Sequence, residues 1–323
     1  MIWRLGHVEL TVDDLDRAEE FYVGLLGFDR HDRADGRLYL RAAHEFDAWS
    51  LCLVQADGKG LGHLGFRVSD AGSLDELEQL HHELGLPTER VPAGTEPHQG
   101  EAVRTLTPDG HPVEFYHDFD EIQVPDGADV RLPMRATHRR SGMPPVRLDH
   151  VNLRVTDTPT ALEYWSDRLD FRPSELWLEE DGRPRTAWVR RAAGTHDVAL
   201  GRGEPALHHV AYTLADEPAL LRAADLMGDA GLEGQIDYGP SRHGATNAFC
   251  LYVLDPAGNR IELYAGDYFR DLDRPPVRWS AEAYARHGHS WWGLPPGERF
   301  RRETSPLRAA GWLQTKPALA PSR

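Results

Sequence analysis

Two histidines and one glutamate recur in each half of this chain at near-equal spacing: His7, His63 and Glu114, then His150, His209 and Glu262. The intervals run 56 then 51 residues in the first half (7 to 63 to 114) and 59 then 53 in the second (150 to 209 to 262). Two imidazoles and a carboxylate carried on separate strands form a facial triad. Three such ligands hold one face of an octahedron and leave the other face open, a donor set that suits non-haem Fe(II). A lone strand histidine is usually a satisfied structural residue, but recurrence at equivalent places in a repeated unit argues for ligation. His208 adjoins His209, and the two-residue period of a strand sends neighbouring side chains to opposite faces, so only one is expected to point inward. Alignment with His7, His63 and His150 selects His209.

The elements that must position these groups are visible in the repeat itself. Four runs open alike: Gly6-His7-Val8-Glu9-Leu10, Gly62-His63-Leu64-Gly65-Phe66, Asp149-His150-Val151-Asn152-Leu153 and His208-His209-Val210-Ala211-Tyr212. A period near 60 residues marks four copies of one supersecondary unit. The second and fourth copies also end alike, in Pro108-Asp109-Gly110 to Glu114-Phe115-Tyr116 and Pro256-Ala257-Gly258 to Glu262-Leu263-Tyr264. In the first copy Asp13 and Asp14 cap a helix whose apolar face is Leu15, Ala18, Phe21, Tyr22 and Leu25, stopped by Gly27. In the third, Thr156, Asp157 and Pro159 start a helix through Leu162, Tyr164, Trp165 and Leu169. Strand-like runs broken by Gly or Asp-Gly follow, at 37–41, 49–54, 186–190 and 197–200. Further helices are expected at 73–84 and 218–230. The unit therefore reads β-α-β-β-β, and the fold class α+β, with four modules in two domains.

Those domains are placed at 1–118 and 146–267, joined by a proline-containing linker at 119–145. Beyond Asp267 the chain turns rich in Pro and Arg, with Trp279, Trp291 and Trp292, and the segment 268–323 is expected to cover the second domain, its end fraying from Thr315. At 323 residues the chain can bury two cores. Its 52 acidic against 36 basic residues, a formal charge of −16, repel polyanions, so neither nucleic acid nor an anionic membrane is expected as a partner. Early charges and the lack of a long apolar run predict no signal peptide or membrane span, and a cytoplasmic location. Cys52 and Cys250 lie in apolar runs and read as buried, inert thiols.

The motifs around the second triad resemble those of the type I extradiol ring-cleaving dioxygenases of the vicinal oxygen chelate superfamily, nearest the homoprotocatechuate and catechol 2,3-dioxygenase group. The resemblance rests on Leu148 to Asn152, His208 to Ala211 and Asp255 to Tyr264, and covers both halves, the first more weakly. It implies open barrels built from paired βαβββ modules, with His150, His209 and Glu262 binding Fe(II), or Mn(II) in some members. It further implies a catechol and O2 as substrates, ring cleavage beside the diol to a muconic semialdehyde, and a homo-oligomer, a tetramer in the family. By the same resemblance His196 is the acid-base histidine, Tyr252 the active-site tyrosine, and His243 the residue holding the cover segment. Asn152, Trp188, Arg242, Asn247, Tyr238 and His289 fall on substrate-side positions.

Two departures from the family pattern bear on the substrate. Trp291-Trp292-Gly293 is present, but Gly288 and His289 stand where the homoprotocatechuate enzymes keep paired arginines, and Tyr238 replaces another. Arg286, His287 and His289 are the remaining candidates for an anion site. A fixed guanidinium clamp is therefore not expected, and uncharged catechols should be turned over at least comparably to 3,4-dihydroxyphenylacetate. In the first half, counting back thirteen from His63 reaches Ser50, counting back ten from Glu114 reaches Arg104, and Glu9 replaces Asn152. That half reads as a remnant of duplication that buttresses the fold. Two other classes remain open: a glyoxalase or thiol-transferase, which would need a fourth protein ligand, and a non-catalytic aromatic-ligand-binding protein of the same fold, which would not need an intact triad.

Overall fold

The computed structural model describes residues 1–122 and 142–308. Most of the expected linker, and the frayed end from Thr315, lie outside the described residues. Module one is β1 (Ile2–Val12), α1 (Leu15–Glu19), β2 (Asp29–Ala34), β3 (Arg37–Arg41) and β4 (Leu51–Gln55); module two is β5 (Gly60–Val68), α2 (Gly72–Glu83), β6 (Thr88–Val91), β7 (Ala102–Leu106) and β8 (Pro112–Tyr116). Module three is β9 (Arg147–Val155), α3 (Thr158–Glu163), β10 (Arg172–Leu178), β11 (Pro184–Arg190) and β12 (Val198–Arg202); module four is β13 (Ala206–Thr213), α4 (Glu217–Asp229), β14 (Ile236–Arg242), β15 (Phe249–Leu254) and β16 (Arg260–Ala265). The repeat read from the sequence is thus the repeat of the fold.

One difference lies in the first helix of each half. Asp14 and Asp157 cap α1 and α3 through their side chains as expected. Each helix then widens into a π-helical turn, Glu20–Leu25 and Tyr164–Arg168, closed by Leu26 N–H to Phe21 C=O and Leu169 N–H to Tyr164 C=O. The adjacent aromatic pairs Phe21/Tyr22 and Tyr164/Trp165 are all buried. A regular α-helix turns successive side chains about 100° apart, and the wider turn accommodates both members of each pair.

Modules one and two form an eight-stranded sheet ordered β2-β3-β4-β1-β5-β8-β7-β6. Modules three and four form β14-β15-β16-β13-β9-β12-β11-β10, extended at its edge by β17 (Val277–Trp279), which pairs parallel with β10. In each sheet the opening strands of its two modules are antiparallel central neighbours, and each is flanked by the parallel closing strand of its own module. This ladder puts β1, β5 and β8 side by side, and likewise β9, β13 and β16. Neither sheet closes on itself, so both are open barrels.

A contiguous apolar core runs through both halves and takes in residues of α1 to α4. Phe28 meets Tyr212 edge-on with centroids 4.8 Å apart, and Phe66 meets Trp165 at 5.5 Å. Polar ties cross the same seam: Tyr22 Oη donates to Asp255 at 3.0 Å and Asn259 Nδ2 to Thr11 C=O at 3.0 Å. The cores therefore merge between the sheets, and the inner face of each sheet is left to a separate cluster.

After β17 come α5 (Ala281–Ala283), a π-turn Tyr284–Gly288 and α6 (Glu298–Arg302). This segment lies over the second sheet. Arg260, buried on β16, holds it by donating to the carbonyls of Glu303 and Arg299, and Asp237 bridges Arg260 and Arg299. The Cys52 and Cys250 thiols are free and buried, which raises their pKa well above the ordinary thiol value.

Candidate active site

Strand register explains why the donors converge. His150 pairs with Ala211, and Ala211 with Glu262, so a histidine and a glutamate face each other across one small residue on β13. His209, two positions before Ala211, shares its face. The Nε2 atoms of His150 and His209 each lie 3.1 Å from Glu262 Oε2. All three residues are at most 4% exposed.

The far nitrogens of both rings are engaged. Asp149 Oδ2 accepts from His150 Nδ1 at 2.9 Å and is itself held by Arg147. His208 Nε2 lies 2.8 Å from the Phe300 carbonyl, which can only accept, so that nitrogen carries the proton. Burial, then the fields of Arg154 and Arg260, push His208 well below the ordinary imidazole pKa, so its Nδ1 is left to accept from His209 Nδ1, 2.8 Å away. These partners turn both Nε2 atoms toward Glu262. Burial opposes charge on His150, but hydrogen bonds to Asp149 and Glu262 outweigh it and raise its pKa to about 9. His209, dominated by burial, falls to about 4, and the bonds from both rings hold Glu262 well below the carboxylate range despite its burial. The potential that draws a proton to this point also draws a metal cation. Three convergent donors with oriented partners fit such an ion.

His208 corrects the alternation argument. A β-bulge between Leu207 and His209 breaks the two-residue period, so the His208 ring lies beside His209, centroids 5.0 Å apart, and not on the opposite face.

The triad forms the end of a cavity of about 550 Å3. The His196 ring lies over His150 with centroids 3.9 Å apart, and its Nδ1 is 3.0 Å from Thr195 Oγ1. Tyr252 is the cross-strand partner of Glu262 and hydrogen-bonds it. Burial and the Glu262 charge raise its phenol well above the ordinary value, so it stays a donor. His243 Nδ1 donates to the His289 carbonyl on the covering segment, and its Nε2 is 3.0 Å from Tyr252 Oη. Asn152, paired with His209, leaves its buried Oδ1 without a partner among the described residues, and Trp188 forms another part of the wall.

The comparisons with known proteins agree. The description "Catechol 2,3-dioxygenase-like N-terminal domain" matches residues 61–119, and "Glyoxalase/Bleomycin resistance protein/Dioxygenase superfamily" matches 147–263. A metapyrocatechase of Pseudomonas sp. (strain CF600) is 35% identical over 286 residues, covering 87% of this chain and 92% of that protein. A manganese-dependent 2,3-dihydroxybiphenyl 1,2-dioxygenase of Geobacillus genomosp. 3 is 30% identical, covering 92% and 96%. The chain belongs to the extradiol ring-cleaving dioxygenases. Homoprotocatechuate 2,3-dioxygenase of Brevibacterium fuscum, solved with 3,4-dihydroxyphenylacetate, superposes with a TM-score of 0.87 at 35% identity, covering 94% of this chain and 92% of that one. The enzyme of Arthrobacter globiformis gives 0.89 at 35% identity, covering 96% and 94%.

Within this dioxygenase, three expected substrate residues do not line the cavity. Tyr238 lies behind Tyr252, stacked at 5.6 Å, and spends its hydroxyl on Ser241 and Ser290. Arg242 bonds Glu217 and the Asn247 carbonyl. Asn247 is exposed at φ 57°, where its role is to turn the chain in the left-handed region. His289 does line the wall. Enclosure there, then the fields of His243, Arg154, Arg301 and Arg185, push it down to about 3, so it carries no charge for an anion. Arg286 and His287 lie outside the wall.

Residues that the sequence reading missed include His208, Tyr284, Phe300, Arg154 and Glu175. The buried Glu175 carboxylate accepts from Thr246 N, Tyr268 Oη and Trp279 Nε1, tying the 243–247 loop and β17 together. A glutamate in a strand of module three gives no sign of three donors arriving from 71 to 104 residues away. Arg154 was open to the two-residue period, being two positions after Asn152 on β9.

Proposed function

We propose that this extradiol dioxygenase binds Fe(II) through His150, His209 and Glu262, with Mn(II) the alternative ion for the same donors, and opens a catechol ring beside its diol to give a muconic semialdehyde. The observation that carries this reading is the convergence of two oriented Nε2 atoms and Glu262 Oε2 at the end of a cavity, beneath the His196 ring. When bound, the metal supplies Lewis acidity that favours loss of a diol proton, and electron transfer between ring and dioxygen.

The chain's own groups handle the protons. Asp267 accepts from the Thr195 hydroxyl, whose single proton is thereby used, so Thr195 Oγ1 accepts from His196 Nδ1 and the bare Nε2 of His196 is the base. Burial and the His150 ring hold His196 well below the ordinary imidazole pKa, which keeps that lone pair free for a diol proton until it is returned to the departing oxygen. The Tyr252 hydroxyl orients a substrate oxygen, and His243, fixed to the covering segment, positions Tyr252. Asn152 and Trp188 bound the ring. Phe300, held over the cavity by Arg260, excludes water.

The first-half cluster takes no part in this reading. A cytoplasmic site of action belongs to the same reading; among the described residues no helix is long and apolar enough to cross a membrane. The test is anaerobic loading with Fe(II) or Mn(II), then catechol in air. A yellow ring-cleavage product is expected; metal-loaded protein that binds catechol and yields none sinks the proposal.

A further inference from the structure

The cavity extends along β9 away from the triad. His150, Asn152 and Arg154 alternate on one face of that strand, which places the Arg154 Cα about 13 Å from that of His150 at about 3.3 Å per residue. The arginines of the cavity wall are Arg154, Arg185, Arg202, which pairs with Glu179 at 2.6 Å, and the exposed Arg301 and Arg302. Arg185 is occupied: it pairs with Glu179 at 3.3 Å and lies over the Trp177 ring at 5.2 Å. The Arg154 guanidinium makes no hydrogen bond or ion pair with another described residue. The carboxylates of the cavity wall are Glu262, at the triad, and Glu204, exposed at the mouth.

The guanidinium also has a shaped bed. A Cβ at Gly201, its partner on β12, would sit 2.7 Å from Arg154 Nη1, and one at Gly203 3.4 Å from its Cδ. Burial, then the field of Arg260, lowers the Arg154 pKa to about 10, which still leaves it charged near neutrality. A half-buried guanidinium on the cavity wall with no counter-charge among the described residues offers its donors to an anionic partner.

We infer that Arg154 is the anion subsite of this dioxygenase, and that its substrate is a catechol bearing a short carboxylate side chain whose charge pairs with that guanidinium while the diol faces the triad. This rests on the dioxygenase reading above and names its substrate class. It runs against the expectation of a cavity without a fixed guanidinium, drawn from Gly288, His289 and Tyr238: positive charge is absent from those positions and present on β9. A guanidinium and a carboxylate match as a two-point hydrogen-bonded pair, which Arg supplies better than Lys.

Two measurements test it. On metal-loaded enzyme, the kcat/KM for 3,4-dihydroxyphenylacetate divided by that for its methyl ester should exceed about ten. That ratio should fall at least tenfold in Arg154→Met, through KM more than kcat, and less in Arg154→Lys. Gly201→Ala, which crowds the guanidinium without removing charge, should also lower it. On metal-free protein, calorimetry should show phenylacetate binding at least tenfold tighter than phenylacetamide, with the difference lost in Arg154→Met. Equal handling of acid and ester by the wild type, or a preference that survives Arg154→Met, overturns the proposal. Absence of cleavage of any catechol with either metal would instead overturn the dioxygenase reading, and the phenylacetate arm would still decide the subsite.

Discussion

In the first half Glu114 is bonded at both oxygens, Oε1 by Gln99 Nε2 at 2.6 Å and Oε2 by Arg104 Nε, while in the second half Glu262 faces His150, His209 and Tyr252 at the wall of a cavity. The ladders are the same: His7 pairs with Gly65 and Gly65 with Glu114, as His150 pairs with Ala211 and Ala211 with Glu262. Their donor atoms converge alike. What differs is the next row of residues. Arg104 occupies the register position of Tyr252, and Glu9 that of Asn152. Tyr39 pairs with Cys52 as Trp188 pairs with Ala199.

Register also corrects the count back from His63. Val8 N–H bonds the Ser50 carbonyl just as Val151 N–H bonds that of Asp197, so Trp49, not Ser50, is the counterpart of His196. Trp49 packs on His7 at 4.7 Å where His196 lies on His150 at 3.9 Å. With Tyr116, Phe119 and Tyr39 it fills the inner face that the second half leaves open. Glu9 and Glu96 share Arg37, and Glu96 also takes Arg104, so this buried site is neutralised by side chains where the other calls for a cation. The triads alone do not separate the two halves; the groups bonded to each carboxylate do.

The largest difference between the halves should appear on removing each glutamate. Glu262→Ala is expected to empty the metal site and lower ring cleavage on the order of 10³-fold or more, about 4 kcal/mol of barrier. Glu114→Ala should leave metal analysis at one ion per chain while costing about 3 kcal/mol of stability, because Arg104 loses a buried partner. Two ions per wild-type chain, one lost in Glu114→Ala, would break the comparison.

Next in size is the His196/Trp49 pair. His196→Asn should retain metal and catechol but slow turnover by roughly 10²-fold or more, the scale of a lost acid-base group. Trp49→Ala should move the unfolding midpoint, by about 3 kcal/mol or more, without changing the metal content. Loss of metal in His196→Asn would make His196 structural.

Smaller again is His208, whose counterpart in the first half is Gly62. His208→Ala removes the partner that orients His209 and should weaken metal binding by about 10- to 100-fold, read by titration with Fe(II) or Mn(II). An unchanged affinity would show that Glu262 alone orients His209. Smallest is Tyr252→Phe, which keeps the ring packing against Phe300 and removes one hydrogen bond to substrate, for roughly a tenfold loss in kcat/KM.

Spacing alone was enough to expose the modules and both triads, because the ladder of a βαβββ repeat returns equivalent residues to equivalent places every 60 or so positions. Helix caps and the apolar stripes were legible for a similar reason: they are local. The π-turns were not, since two adjacent buried aromatics become a constraint only when a second layer packs on them. His208 escaped because a bulge is a property of two paired strands, and a single strand read alone keeps its period of two. Arg154 shows the same limit from another side. Its position on β9 was readable, but whether a guanidinium finds a carboxylate depends on every chain segment that passes near it. In this protein β12 and the turn after it bring glycines and β16 brings a second arginine, so the charge is left for a ligand, and only the packing of those segments decides it.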